Sequence, residues 1–430
     1  MKKIICFSLF LCVLTTIVSM FSASAQEAPS ITGVSGAVVV NTETGNEVYT
    51  HNSDTQIPPH ASARLMTVLV SYEQLKSRME ERVPINADAL RPYSNYNSFY
   101  LDGEWKSLFD YAGQYISVSD LFRHALVYSA DDACWALACY AFGSEENCIA
   151  AMNEKARSLG MEHTEYTDAV NSSSLSATTA SDLALLCSEL YKNTLLADMA
   201  SLQSAKITVG QTSVTVYNRN LLNSSYYGKG YYDSTVDGIF YHASSGVLVA
   251  AKPDKNLTYV CVVVGASDAD SAYSSVTSLL GYAMGSFGFV EVLSPLEIFA
   301  DIPVRLSKQA DFVAAVPERE MVYFLPKSLD VEKEISYDVH LDVSEIEAPV
   351  SLGASVGHVD VVYDGEVIGS VELVTNASLS KSLTLEFRDF VRRVALYPVT
   401  VIVLVLSLLS FVAYVLYRAH KEAEKNDGKL

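Results

Sequence analysis

Two long apolar runs frame the chain. The first, Ile4 to Met20, follows Lys2 and Lys3 and precedes Ala23-Ser24-Ala25. A short positive region, an apolar stretch and a small-residue cleavage site mark a secretory signal peptide, assigned to residues 1–25. The second run fills the 24 uncharged positions between Arg393 and Arg418. A helix needs roughly 20 apolar residues to cross a bilayer, so residues 394–417 are predicted to be a transmembrane helix. Tyr397, Tyr414 and Tyr417 fall where interfacial aromatics are expected. Exported by its leader, the bulk of the chain faces outward and residues 418–430 form a cytoplasmic tail. Arg418, Lys421, Lys425 and Lys429 in the tail agree with the positive-inside tendency, although Arg388, Arg392 and Arg393 lie on the outer side.

Between these runs the patterns change twice. Ala37-Val38-Val39-Val40, the turn Asn41 to Gly45 and Glu47-Val48-Tyr49 read as a β-hairpin over Gly36 to Asn52. Leu65, Leu69, Tyr72 and Leu75 share a face of a helix over Ala61 to Arg78. Further helices are predicted over Leu121 to Val127 (capped by Ser119-Asp120), Asp132 to Phe142, Met152 to Leu159, Ala180 to Tyr191 and Ser274 to Met284. Val236 to Ala251 and Leu257 to Gly265 read as adjacent strands. Residues 26–288 thus form an α+β domain with a helical middle. From residue 289 to 377 short alternating runs take over: Ile302 to Leu306, Tyr337 to Leu341, His358 to Val362. With the Asp364-Gly365 hairpin signal they define a small all-β domain. Residues 378–393 are the juxtamembrane segment.

Composition then narrows the class. With 50 acidic and 30 basic residues the net charge is −20, and removal of Lys2 and Lys3 makes it −22. A pI near 4.8 argues against a nucleic-acid partner, because phosphate contacts need clustered Lys and Arg. The mean hydropathy of +0.19 belongs to the two apolar runs. Cys6 and Cys12 leave with the leader. Cys134, Cys139, Cys148, Cys187 and Cys261 show no metal-type spacing and are read as small buried apolar side chains. No cofactor is expected.

Several segments together carry a resemblance. They are Pro58 to Thr67, Ser119-Asp120-Leu121, Tyr128 to Ala133, Asn153 to Ala156 with Leu159-Gly160-Met161, Thr178 to Leu185, Asn218 to Leu222 and Val236-Asp237-Gly238. Ala348-Pro349-Val350 with Gly353, and Val361 to Gly369, add the C-terminal part. In this order the mature chain resembles the D-alanyl-D-alanine carboxypeptidases of the low-molecular-mass penicillin-binding-protein type. The resemblance implies a penicillin-binding/β-lactamase-like fold: an antiparallel sheet with a helical subdomain, a β-sandwich-like C-terminal domain and a C-terminal membrane attachment. It also implies a bacterial, cell-wall-facing location. That chemistry uses Ser-x-x-Lys, in which Ser is the nucleophile and Lys its base, together with Ser-x-Asn and Lys-Thr-Gly.

All three motifs are altered here. Anchored on Leu65-Met66-Thr67, the nucleophile position is Ala61 and the lysine position is Arg64. Ala61 has no nucleophilic atom, and a guanidinium carries only donors. Ser62 is one residue off, a rotation of about 100° on a helix; three residues beyond it stands Leu65, not Lys. Ser129 keeps its place, but Asp131 stands where Asn belongs. Phe240, Tyr241 and His242 occupy the Lys-Thr-Gly positions. No catalytic set is expected intact, and the chain reads as a pseudoenzyme. It would bind wall peptide, or regulate or scaffold wall enzymes. An active carboxypeptidase and a structural envelope protein are the other readings. Arg64 and Asp131 replace side chains that face each other in the family fold, so they are expected to pair across the old cleft.

His60, Ser62, Phe240, Tyr241 and His242 line that cleft by the same alignment. His60 and His242 near Ser62, Ser129 and Asp131 would also suit a rearranged Ser–His–Asp hydrolase. No metal site is expected there. His51, His124, His163, His340, His358 and His420 show no constellation along the sequence. Tyr93, Tyr96, Tyr100, Tyr226, Tyr227, Tyr231 and Tyr232 suit either glycan or partner contact, or simple packing.

Overall fold

The computed structural model describes residues 27–59, 62–86, 99–170, 176–223, 230–254, 257–395 and 398–427. His60, Ala61, Tyr93, Tyr96, Tyr226, Tyr227 and the leader lie outside them. Two compact units result: residues up to Gly288 with Pro326–Ser328, and Phe289–Leu325 with Leu329–Leu430.

In chain order the first unit contains β1 (Gly36–Asn41), β2 (Glu47–His51), α1 (Ala63–Leu75), β3 (Arg82–Pro84), β4 (Phe99–Leu101), β5 (Glu104–Lys106) and β6 (Tyr115–Ser117). Then come α2 (Val118–Arg123), a π-helical turn (His124–Tyr128), α3 (Asp131–Phe142), α4 (Glu145–Ser158), α5 (Ala180–Lys192) and α6 (Thr194–Ser201). The unit closes with β7 (Ser204–Val209), β8 (Thr212–Tyr217), β9 (Asp237–His242), β10 (Val247–Asp254), β11 (Leu257–Val264) and α7 (Ala269–Ser286). Its main sheet has the order β2-β1-β11-β10-β9 and is antiparallel throughout. β1 is buried at every position, which is why it reads as a continuous apolar run rather than an alternating strand. α5 and α7 both pack on this sheet. α1 is buried nearly all round, Arg64, Thr67 and Ser71 included, so it is the interior helix of the unit.

Three local readings change. The capped helix expected at Leu121 begins at Val118, because Ser117 Oγ, not Ser119, accepts the Asp120 amide at 3.0 Å. The strand expected over Val236 to Ala251 is two strands split by a helical turn at Ala243–Ser245, with Gly246 at φ +60° ending it. The helix expected from Met152 begins at Glu145, capped by Ser144, whose polar first turns hid it. The hairpin β7–β8, turning through Gly210 at φ +60°, was not expected.

The second unit contains β12 (Phe287–Leu293), β13 (Ala300–Arg305), β14 (Phe312–Pro317), β15 (Met321–Pro326), α8 (Val331–Glu334), β16 (Ile335–Leu341) and β17 (Ile346–Glu347). It continues with β18 (Ser355–Tyr363), β19 (Glu366–Thr375), α9 (Leu383–Ala395) and α10 (Pro398–Asp427). Six strands pair in the order β16-β18-β19-β14-β13-β17, and β12 pairs with β15. The Asp364-Gly365 turn joins β18 to β19 with φ +50° and +82°, both left-handed as a two-residue hairpin requires. Pro398 opens α10, where its missing N–H costs nothing. Within α10, Val401–Glu422 is long and apolar enough to cross a membrane, with mean hydropathy 2.2 and none of it buried. The helix runs past Arg418, the expected end of the span, because the tail is itself made of good helix formers.

Candidate functional site

The site is built where the first turn of α1 meets the entrance to α3. The π-helical turn His124–Tyr128 ends at Ser129, which takes a left-handed conformation at φ +62°. That reversal aims the Ser129 carbonyl and hydroxyl at Arg64. Arg64 Nη1 donates to Ser129 O at 2.7 Å and to Ser129 Oγ at 3.1 Å. Arg64 Nη2 lies 2.6 Å from Asp131 Oδ1. The expected Arg64–Asp131 contact is therefore present, on a guanidinium whose side chain is only 9% exposed. A planar fork with several fixed donors suits this three-point grip.

Burial raises the Asp131 carboxyl above its ordinary range; Arg64 and Arg219 oppose that rise, and the like charges of Asp132 and Asp168 add to it. Arg219, not singled out from the sequence, sits with its guanidinium 5.1 Å from the Tyr128 ring centroid. It also acts on Tyr241. Its only sequence signal was its place beside Asn218 in a matched segment. Burial lifts the Tyr128 hydroxyl, and Arg219 partly offsets it.

The other candidates are placed differently. Ser62 is fully buried, and its hydroxyl donates to the Pro59 carbonyl. Its side chain is thus committed inside the helix entry. His60 and Ala61 lie outside the described residues. Phe240 is buried and joins the main core. Tyr241 packs against Tyr273 at 5.1 Å, and Tyr231 stacks on Tyr273 at 4.5 Å and 15°. His242 Nδ1 lies 2.9 Å from Ser245 Oγ, within its own turn. Tyr100 makes an edge contact with Trp105 at 5.4 Å, and Tyr232 Oη accepts from Gln203 Nε2 at 3.0 Å.

β9, which carries Phe240, Tyr241 and His242, is pinned by buried asparagines. Asn223 Nδ2 donates to Gly238 O and Asn223 Oδ1 accepts from Gly238 N, both at 2.6 Å. Asn220 Nδ2 donates to Phe240 O at 3.3 Å. Paired amide–backbone bonds of this kind hold an irregular segment in place of a strand partner.

Burial raises the thiols of the first unit: Cys134, Cys187 and Cys261 strongly, Cys148 to about 12 and Cys139 to about 11. Cys134, Cys148, Cys187 and Cys261 are buried.

Comparison with known proteins defines the class. The family model described as D-alanyl-D-alanine carboxypeptidase matches residues 22–268, and the one described as penicillin-binding protein 5, C-terminal domain, matches residues 291–381. The chain belongs to the D-alanyl-D-alanine carboxypeptidase family of peptidoglycan enzymes. It is 24% identical over 372 residues to the D-alanyl-D-alanine carboxypeptidase DacF of Bacillus subtilis, covering 84% of this chain and 88% of that one. With DacC of Escherichia coli it shares 26% identity over 356 residues, covering 81% and 84%. The crystal structure of penicillin binding protein 6B from Escherichia coli matches with a TM-score of 0.60 at 23% identity, covering 82% of this chain and 98% of that one. Its fold is therefore penicillin-binding-protein-like α+β with a C-terminal β domain.

Proposed function

We propose that this is an exported, membrane-anchored carboxypeptidase-like protein without peptidase chemistry. Its body faces the cell wall, its single C-terminal helix spans the plasma membrane, and it binds wall stem peptide or holds other wall proteins. The observation that supports this most is the state of Arg64. At the position where a lysine would accept the nucleophile's proton stands a guanidinium already gripped by Ser129 O, Ser129 Oγ and Asp131. The nucleophile position is Ala61, and β9 offers Phe240, Tyr241 and His242 in place of Lys-Thr-Gly. Loss of a nucleophile alone costs several powers of ten in rate.

A second reading, an active serine-type carboxypeptidase, draws on the similarity along most of the chain to proteins named carboxypeptidases. Incubation of the full chain in detergent with a labelled β-lactam and a D-Ala-D-Ala peptide separates the two. The expected result is no covalent adduct and no released D-alanine, with saturable peptide binding. An acyl adduct would overturn the pseudoenzyme reading. Absence of both adduct and peptide binding would leave the protein-holding role.

A further inference from the structure

The six-stranded sheet of the second unit carries a donor cluster unrelated to the cleft. His340 on β16 and His358 on β18 show no constellation along the sequence, but they are directly opposed cross-strand partners. Their rings stack at 4.8 Å between centroids with an interplanar angle of 26°. Asp360 is two residues further along β18, so the pleat puts it on the same face. His340 Nε2 lies 3.7 Å from Asp360 Oδ2. One donor atom from each of the three residues falls within 4.8 Å of the others. Behind β18 and β19 lies the core: Val359 and Val361 are fully buried, as is Leu373 on β19, while Val339 on the edge strand β16 is exposed. The cluster therefore lies on the outer face of β16 and β18.

The local backbone is arranged for close approach here. Gly357, paired with Leu341, has φ +150°, and a Cβ there would lie 2.1 Å from the His340 carbonyl oxygen. Only glycine lets β16 come this near to β18 immediately beside the two histidines.

The geometry points to a divalent transition-metal site formed by His340, His358 and Asp360, with zinc as the matching ion. Two imidazoles and one carboxylate are the mixed N/O donor set that zinc accepts, with water completing an open tetrahedron. Donors bound to one tetrahedral zinc at about 2.0–2.2 Å stand about 3.4 Å apart. The His340–Asp360 spacing is already near that value, and rotation of exposed side chains supplies the rest. Hard cations prefer all-oxygen shells, which this set does not provide. A bound ion would tie the edge strand β16 to β18.

Isothermal titration of the chelator-stripped full chain in detergent with zinc chloride tests the site. One equivalent should bind, with calcium and magnesium giving no comparable heat. Single substitutions His340→Gln, His358→Gln and Asp360→Asn should each weaken zinc binding at least about tenfold, while His51→Gln leaves it unchanged. Unaltered circular dichroism of the variants excludes misfolding, since all three side chains are on the solvent face. Absence of zinc binding, equal binding of calcium or magnesium, or full zinc binding in the His340 and His358 variants would each overturn the assignment.

Discussion

Arg64 and Asp131 show how one buried charge dictates its surroundings. A buried guanidinium demands acceptors, and Ser129 and Asp131 supply three of them. Arg64→Leu removes the larger of the two charges that oppose the burial of Asp131 and leaves Arg219 alone against Asp132 and Asp168. Breaking a buried pair from one side costs roughly 3–5 kcal/mol; with Asp131 32% exposed, solvent screening brings the expected loss to about 2 kcal/mol, read from urea unfolding. Asp131→Asn behaves differently. The Asp131 carboxyl holds its proton more tightly in the folded chain than its ordinary value of 3.8. That contribution is fully present below 3.8 and is lost as the pH rises through the raised folded value. The stability of Asp131→Asn relative to the unaltered chain should therefore rise with pH between 3.8 and the raised folded value and level off above it. A pH series of unfolding curves in which the difference fell instead would show that the ion pair outweighs burial.

At the scale of elements, the site depends on how β9 is held. Gly238 has no room for a side chain: a Cβ would lie 2.4–2.7 Å from three atoms of the Asn220 amide. Gly238→Ala must displace that amide from its bonds to β9 and β10. Overpacking of this kind costs about 1–3 kcal/mol, visible as a lower Tm. The same substitution should alter the near-ultraviolet signal of the Tyr231–Tyr273–Tyr241 stack, because Tyr241 follows on β9. An unchanged Tm would mean that β9 is not pinned through Asn220. The elements most legible in sequence were those with one clear period: the β1–β2 hairpin, α1, α5 with its Thr179 cap, and the Asp-Gly hairpin of β18–β19. The π-helical turn left no such trace, and the break between β9 and β10 showed only as the short loop Ala243-Ser244-Ser245-Gly246. Both are departures from regular hydrogen bonding that packing imposes on otherwise ordinary apolar sequence.

For the whole molecule, the acidic body and the apolar C-terminal helix divide the labour. Val401–Glu422 presents its apolar side chains outward rather than into a core, as a helix placed in hydrocarbon would. Deletion of residues 398–430 should move the protein from the membrane pellet to the soluble fraction after carbonate extraction. Retention in the pellet would assign attachment to α9, whose exposed Leu383, Phe387 and Phe390 suit an interfacial helix.

An α+β part, a β domain and an apolar helix, in that order, are each written in local composition and period, and the structure has all three. The expectation of altered motifs also rests on sequence alone, because a missing hydroxyl or amine is a matter of identity and not of geometry. Tertiary structure alone decided what Arg64 and Asp131 touch. Arg64 and Ser129 are 65 residues apart, and only the packing of α1 against the entrance of α3 makes them partners. Ser62, which looked available beside the old nucleophile position, is sealed against Pro59. His340 and His358 became neighbours through strand register. Register and helix packing are set by the whole core at once, so no window of sequence contains them.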